Sequence, residues 1–174
     1  MVDNPANGQT IGDRYLFFSF NEETDLEIDQ VLIASPMSVW RCWTETDLFM
    51  KWFAPKPATV EEARINPRPG GEFFTRMRSP SGRTVETSGC FLAASPGRML
   101  AFTDALGPGF HPRRSGFLTT VILLTSDAVG TRYVARALHA TEEQKKKHED
   151  MGFFDGWKRT IGQLGELARQ VDKG

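Results

Sequence analysis

Residues 141–171 read TEEQKKKHEDMGFFDGWKRTIGQLGELARQV, and this stretch decides the fold. Thr141 is a good helix N-cap, and Gln144 three residues on completes a capping box that satisfies two backbone donors. Met151, Phe154, Trp157, Ile161, Leu164, Ala168 and Val171 then recur at spacings of three or four, one face of a helix. Read as a single helix, the segment would be about 45 Å long at 1.5 Å per residue. A helix of that length needs a long partner surface. The chain before it consists almost wholly of strand-like runs, so the expected architecture is one long helix lying across a curved antiparallel sheet. The functional site of such a design lies between helix and sheet.

Working back from the helix, the period changes to two. Thr131 to His139 and Phe117 to Thr125 form a hairpin across Ser126–Gly130. Residues 105–115, ALGPGFHPRRS, are too rich in Gly and Pro for regular structure. Arg98–Asp104, Arg83–Ala94, Glu72–Arg78 and Val60–Ile65 are four more strands, separated by turn clusters such as Asn66-Pro-Arg-Pro-Gly-Gly71 and Ser79-Pro-Ser-Gly82. In Glu72–Arg78, Phe73, Thr75 and Met77 share one face, and Phe74, Arg76 and Arg78 the other. Two short helices precede these strands. Ser35 caps the first, with Pro36 at its first position and Val39, Trp40 and Trp43 on its buried face. Thr46-Asp47 caps the second, which carries Leu48, Phe49 and Trp52 and stops before Pro55. A first strand over Thr24–Ala34 buries Leu26, Ile28, Val31 and Ile33.

The fold class is therefore α+β, with two short helices after the first strand, six further strands and a long C-terminal helix. Residues 1–23 form an N-terminal extension and residues 24–174 one domain. The run Tyr15-Leu-Phe-Phe-Ser-Phe20 reads either as an added edge strand or as a homodimer contact.

The 174 residues carry 21 basic and 22 acidic side chains, a net charge of −1, which gives no bias toward nucleic acid or a membrane surface. No apolar run approaches the ~20 residues that span a bilayer. The first residues hold no basic segment followed by an apolar one, so no signal peptide is expected and the expected location is cytoplasmic. Cys42 and Cys90 are far apart and read as buried free thiols.

No phosphate-cradling loop, nucleophile elbow or metal-ligand spacing occurs, so neither a cofactor nor a metal is expected. His139 closes the last strand and His148 lies two turns into the helix, so both can reach the mouth of one cavity. Asp104 ends a strand whose inward set includes Leu100 and Phe102. It either pairs with an arginine such as Arg136 or orients a ligand. Large rings sit beside small residues on the last strand (Ala135, Ala137) and glycines in the helix (Gly152, Gly156), which points to incomplete filling. A glycine inside a helix costs ~1 kcal/mol relative to alanine. Two so close together imply a close backbone approach, a bend, or room for a ligand.

The segments Ile33-Ala-Ser-Pro-Met-Ser-Val-Trp40, Trp43-Thr, Lys51-Trp-Phe-Ala-Pro55, Pro69-Gly-Gly-Glu-Phe73, Gly89, Pro96-Gly-Arg98, Phe102-Thr-Asp104, Gly130-Thr131 and Met151-Gly-Phe-Phe-Asp-Gly-Trp157 follow one another in this order. Together they resemble the bacterial proteins similar to the C-terminal domain of the activator of the heat-shock-90 ATPase, in the START-like (SRPBCC) superfamily. The resemblance covers about residues 24–171. It implies a helix-grip fold: a seven-stranded antiparallel sheet wrapped around a long C-terminal helix, with a hydrophobic cavity between. It also implies that the separate chaperone-binding domain of the activator has no counterpart in residues 1–23.

Three functions compete on this reading. The first is binding of a small hydrophobic molecule in the cavity, lined by Trp52, Phe53, Phe73, Met77, Phe102, Phe117, Met151, Phe154 and Trp157, with Asp104 and His139 as polar groups that orient it. The second is a co-chaperone-like module that stimulates a heat-shock-90 type ATPase. The third is a cyclase- or hydrolase-like enzyme in which His139 or His148 acts as base beside Asp104.

Overall fold

The computed structural model describes residues 18–174. Seven strands form one antiparallel sheet. Strand β1 spans Asp25–Leu32, β2 Thr59–Ile65, β3 Glu72–Arg78, β4 Thr84–Ser95, β5 Met99–Thr103, β8 Thr119–Asp127 and β9 Gly130–Leu138. Their spatial order is β1-β9-β8-β5-β4-β3-β2. The segment expected to be irregular holds a small hairpin of β6 (Leu106–Gly107) and β7 (His111–Pro112) around a single 3-10 turn at Pro108–Phe110. Helices α1 (Pro36–Thr44) and α2 (Thr46–Trp52) follow β1, and α3 (Glu142–Asp150) and α4 (Phe153–Lys173) close the chain.

The capping chemistry of α1 is as expected: the Ser35 hydroxyl accepts a hydrogen bond from the Ser38 amide at 3.2 Å, with Pro36 opening the helix. Glu45, not Thr46, stands at the N-cap of α2, and its side chain makes no capping bond. The first strand buries Leu26, Ile28 and Leu32, while Val31 and Ile33 are exposed. Strict alternation from Leu26 reaches Leu32 and leaves the odd positions outside.

The expected single long helix is two helices. Gly152 adopts φ 87° and ψ 36°, the left-handed region that side chains with a Cβ avoid. It ends α3 by donating its N–H to the Glu149 carbonyl at 2.8 Å. Its own carbonyl then receives the Gly156 N–H at 2.9 Å and starts α4. One residue thus serves as stop for one helix and cap for the next. The break also rotates the apolar face. Phe153 is buried in place of Phe154, and Met151 and Phe154 are exposed, because a period counted through a break loses its phase. Beyond it, Ile161, Leu164 and Ala168 are fully buried as expected.

Helix α4 is 21 residues, about 30 Å, and lies against α1, α2 and β1. Two polar clamps hold it there. At its middle Gln163 donates to the Trp52 and Ala54 carbonyls at 2.7 and 2.8 Å and accepts from the Lys56 amide at 2.9 Å. Near its end the Asp172 carboxylate accepts from the amide and hydroxyl of Ser35, both at 2.7 Å. The outer face of the sheet is polar over β2–β4, where Arg64 lies over the Phe74 ring at 3.8 Å. Over β5 and β8 it is apolar, with Met99, Ala101, Val121 and Leu123 covered in part by Phe18. Of the Tyr15–Phe20 run, residues 15–17 lie outside the described residues. Both cysteines are buried free thiols.

Candidate functional site

Strands β3, β4, β5 and β8 supply the floor of the site. Phe73 and Phe102 stack at 4.1 Å between centroids, their planes 12° apart, with Phe91 edge-on beside them. The close approach of β4 to β5 requires Gly89, since a Cβ there would stand 2.0 Å from the Thr103 carbonyl oxygen. The end of α2 supplies a wall: Phe49 and Phe53 stack at 4.4 Å, and Trp43 packs edge-on against Trp52 at 4.8 Å. Rings with few rotatable bonds, already packed against one another, do not fold into the space beside them.

That space is a cavity of about 210 Å³ over the sheet, beside a second hollow of about 240 Å³ beneath the first turns of α4. Phe53, Met77, His148 and Trp157 line both, so the two chambers adjoin. Gly156 lines the second chamber, and a Cβ there would meet nothing within 4 Å. The other helix glycine, Gly152, makes the bend.

Of the residues named from sequence, Phe53, Phe73, Met77, Phe102, Asp104 and Trp157 line the first chamber, and Trp52 and Met151 the second. It does not bring Phe117, His139 or Phe154 to line either chamber. Phe117 packs edge-on against both histidines, and Phe154 points to solvent. Missed in the sequence are Thr87, Gly89, Leu118 and Thr120, which face the chamber from β4 and the start of β8. Alternation along those strands carries that information once one inward residue is known.

Asp104 does not pair with Arg136, which instead binds Glu27 at 2.6 Å. One Asp104 oxygen accepts the amides of Phe117 and Leu118 at 2.8 and 3.0 Å, pinning the chain as it enters β8. Its other oxygen has no hydrogen-bond partner among the described residues, and the residue lines the chamber. Thr75, between Phe73 and Met77 on β3, is fully buried, and its hydroxyl has no partner among the described residues. Nor have the buried Trp43 indole N–H and Tyr133 hydroxyl a hydrogen-bond partner among them. Burial pushes the Tyr133 phenol up, and the nearby Trp43 indole opposes it.

The two histidines meet. His139 Nε2 and His148 Nδ1 are 2.9 Å apart, and His139 Nδ1 is 2.9 Å from the Thr24 carbonyl. His148 lines both chambers and is held low, to about 4, by burial and then by the neighbouring His139. No carboxylate side chain bonds either imidazole ring among the described residues, unlike the base–orienter pair of an acid–base enzyme. Nor is any group of three or more His, Cys, Asp or Glu among these residues placed to hold a metal ion. No helix among them is long and apolar enough to cross a membrane.

The family described as Activator of Hsp90 ATPase homolog 1-like protein matches residues 33–169, most of the chain. This protein belongs to that family. The match runs from α1 into the last turns of α4 and so includes the strands and helices that line the two chambers. A crystal structure of a Nitrosomonas europaea protein is similar at 42% identity and a TM-score of 0.85, covering 89% of this chain and 100% of that one. A Rhodobacter sphaeroides crystal structure shares the fold at 19% identity and a TM-score of 0.74, covering 86% of this chain and 95% of its own. So does one from Mycobacterium smegmatis, at 24% identity and 0.69, covering 84% and 91%. No curated protein matches the chain.

Proposed function

We propose that this protein binds a small hydrophobic molecule between the first turns of α4 and the sheet. The observation that carries this reading is the pair of adjoining chambers. Each alone falls below the ~300 Å³ at which sites for drug-sized molecules begin, and a guest reaching past the residues they share would occupy both. Their walls are mostly rings and aliphatic groups with a few polar atoms, which is the composition of a binding pocket.

The test is titration with N-phenyl-1-naphthylamine, a neutral probe whose fluorescence rises in apolar surroundings. Saturable binding at one site per chain is expected. The variant Gly156→Phe, which puts a ring into the second chamber without touching the sheet, is expected to keep the fold and weaken the probe at least tenfold. Wild-type protein that shows no saturable binding would remove the reading.

A second reading rests on the family's own description, which names an activator of the Hsp90 ATPase. Exposed Met151 and Phe154 flank the bend between α3 and α4 and offer apolar contact to a partner chain. Stimulation of a heat-shock-90 type ATPase by the wild type, lost in a Met151→Ser/Phe154→Ser variant, would support it.

A further inference from the structure

The hydrogen-bond chain through the two histidines has a direction. A backbone carbonyl can only accept, so the proton between Thr24 and His139 sits on His139 Nδ1. With the pair uncharged, His139 Nε2 is then a bare lone pair. The proton shared across the 2.9 Å contact must come from His148 Nδ1. That leaves His148 Nε2 as a lone pair too. It has no partner among the described residues, on a side chain that lines both chambers. The backbone of β1's entry thus sets the tautomer of a ring two contacts away. The low proton affinity of His148 keeps that lone pair available at neutral pH.

The other charged group at the site is Asp104, whose second oxygen is also an acceptor. No lysine or arginine among the described residues lines either chamber. The two strongest polar groups of the site therefore both accept, and no cation is at hand to receive a carboxylate or phosphate. A guest that offered an anion would lose its water beside a carboxylate with no cation to replace it.

Resting on the binding reading above, we propose that the guest is a neutral apolar molecule carrying a hydroxyl. His148 Nε2 receives the hydroxyl proton's hydrogen bond, and Asp104 turns fatty acids and other anionic guests away.

Three probes with one apolar body test this at neutral pH: naphthalene, 2-naphthol and 2-naphthoate, each followed by quenching of the protein's tryptophan fluorescence. One added hydrogen bond predicts that 2-naphthol binds about five- to tenfold tighter than naphthalene. The naphthoate is expected to bind at least tenfold more weakly than naphthalene. His148→Phe keeps the ring contacts to Phe117 and Phe153 but has no acceptor. In it the advantage of 2-naphthol over naphthalene should disappear. Asp104→Asn keeps an oxygen for the two amides and removes the charge, so the naphthoate should gain affinity in that variant. Nitrogen-15 shifts of the imidazoles read the tautomer directly, with His139 and His148 both protonated at Nδ1.

Naphthoate as the tightest of the three, or naphthol no better than naphthalene, overturns the proposal while binding stands. Protonation of His148 at Nε2 likewise overturns it. Failure of all three probes to bind removes the binding reading itself, and this proposal with it.

Discussion

His148 is the one buried residue of α3, and it is buried against another imidazole. An imidazole in this position is harder to protonate in the folded chain than in the unfolded one: its value falls from 6.5 to about 4, first from burial and second from His139. The sign follows from linkage. Between those two values the unfolded chain binds the extra proton and the folded chain does not, so stability falls as pH drops from 6.5 toward 4 and is unaffected above. The size of the loss is roughly 3 kcal/mol at most. His139 is the titratable group packed against it, with Phe117 and Phe153 as apolar neighbours and Asp104 in the same chamber. Urea unfolding between pH 7.5 and 4.5 should show this loss in the wild type. The difference between wild type and His148→Phe should shift in the variant's favour as pH falls. A constant difference would place the pair's proton elsewhere. Both histidines were recognisable from sequence as able to reach one cavity. Their contact was not, because it depends on how α3 folds back after the end of β9, which periodicity does not record.

At the scale of elements, the two glycines near the start of α4 make opposite predictions. Gly152 holds a left-handed conformation between two helices, and alanine there costs ~1–2 kcal/mol. Gly156 has ordinary helical surroundings and open space where a Cβ would stand, so Gly156→Ala should add up to ~1 kcal/mol. Denaturation midpoints of the two variants should move in opposite directions. The same sign for both would mean the bend is not where the geometry puts it. α3 itself is almost wholly polar, with Glu142 and Glu143 at its start and Lys147 in its last turn. Its seat on the body is one imidazole and a few polar contacts, such as Gln144 to the Gly116 carbonyl at 3.4 Å. The helix start was readable from its capping box: the Gln144 amide donates to the Thr141 hydroxyl at 3.2 Å, and the Gln144 side chain accepts from the Ala140 amide at 3.1 Å. The break was not readable in the same way, since a lone glycine in a periodic segment is compatible with a continuous helix.

At the scale of the molecule, the lower half of α4 is solid core and the upper half stands over the chambers. Ile161, Leu164 and Ala168 fill the space against β1, α1 and α2. Upward from Thr160 the helix presents Gly156 and the half-buried Trp157. A guest bound there stabilises the folded chain by mass action, about 2.7 kcal/mol when its concentration is 100 times its dissociation constant. For a domain of this size that is a rise of roughly 5–10 °C in Tm. Thermal unfolding with saturating 2-naphthol should show it, and Gly156→Phe should cut it by about half or more. An equal rise in that variant would mean the guest binds elsewhere on the surface. Surface pairs such as Arg64–Glu72 at 3.0 Å and Arg76–Glu86 at 2.7 Å contribute little to this stability, being exposed and screened by salt.

The sequence by itself determined the element order, the strand count of the main sheet, the Ser35-Pro36 helix start and the inward set Phe73, Met77 and Phe102. These follow from local rules: period two or 3.6, capping chemistry, and the punctuation of Gly and Pro. The tertiary structure alone decided that the terminal helix is broken, that Phe153 rather than Phe154 turns inward, that Asp104 answers two amides rather than Arg136, and that His139 and His148 share a proton. The first two follow from one dihedral angle at Gly152, and the last two from turns that bring groups nine to fourteen residues apart into contact. Periodicity carries no information about either.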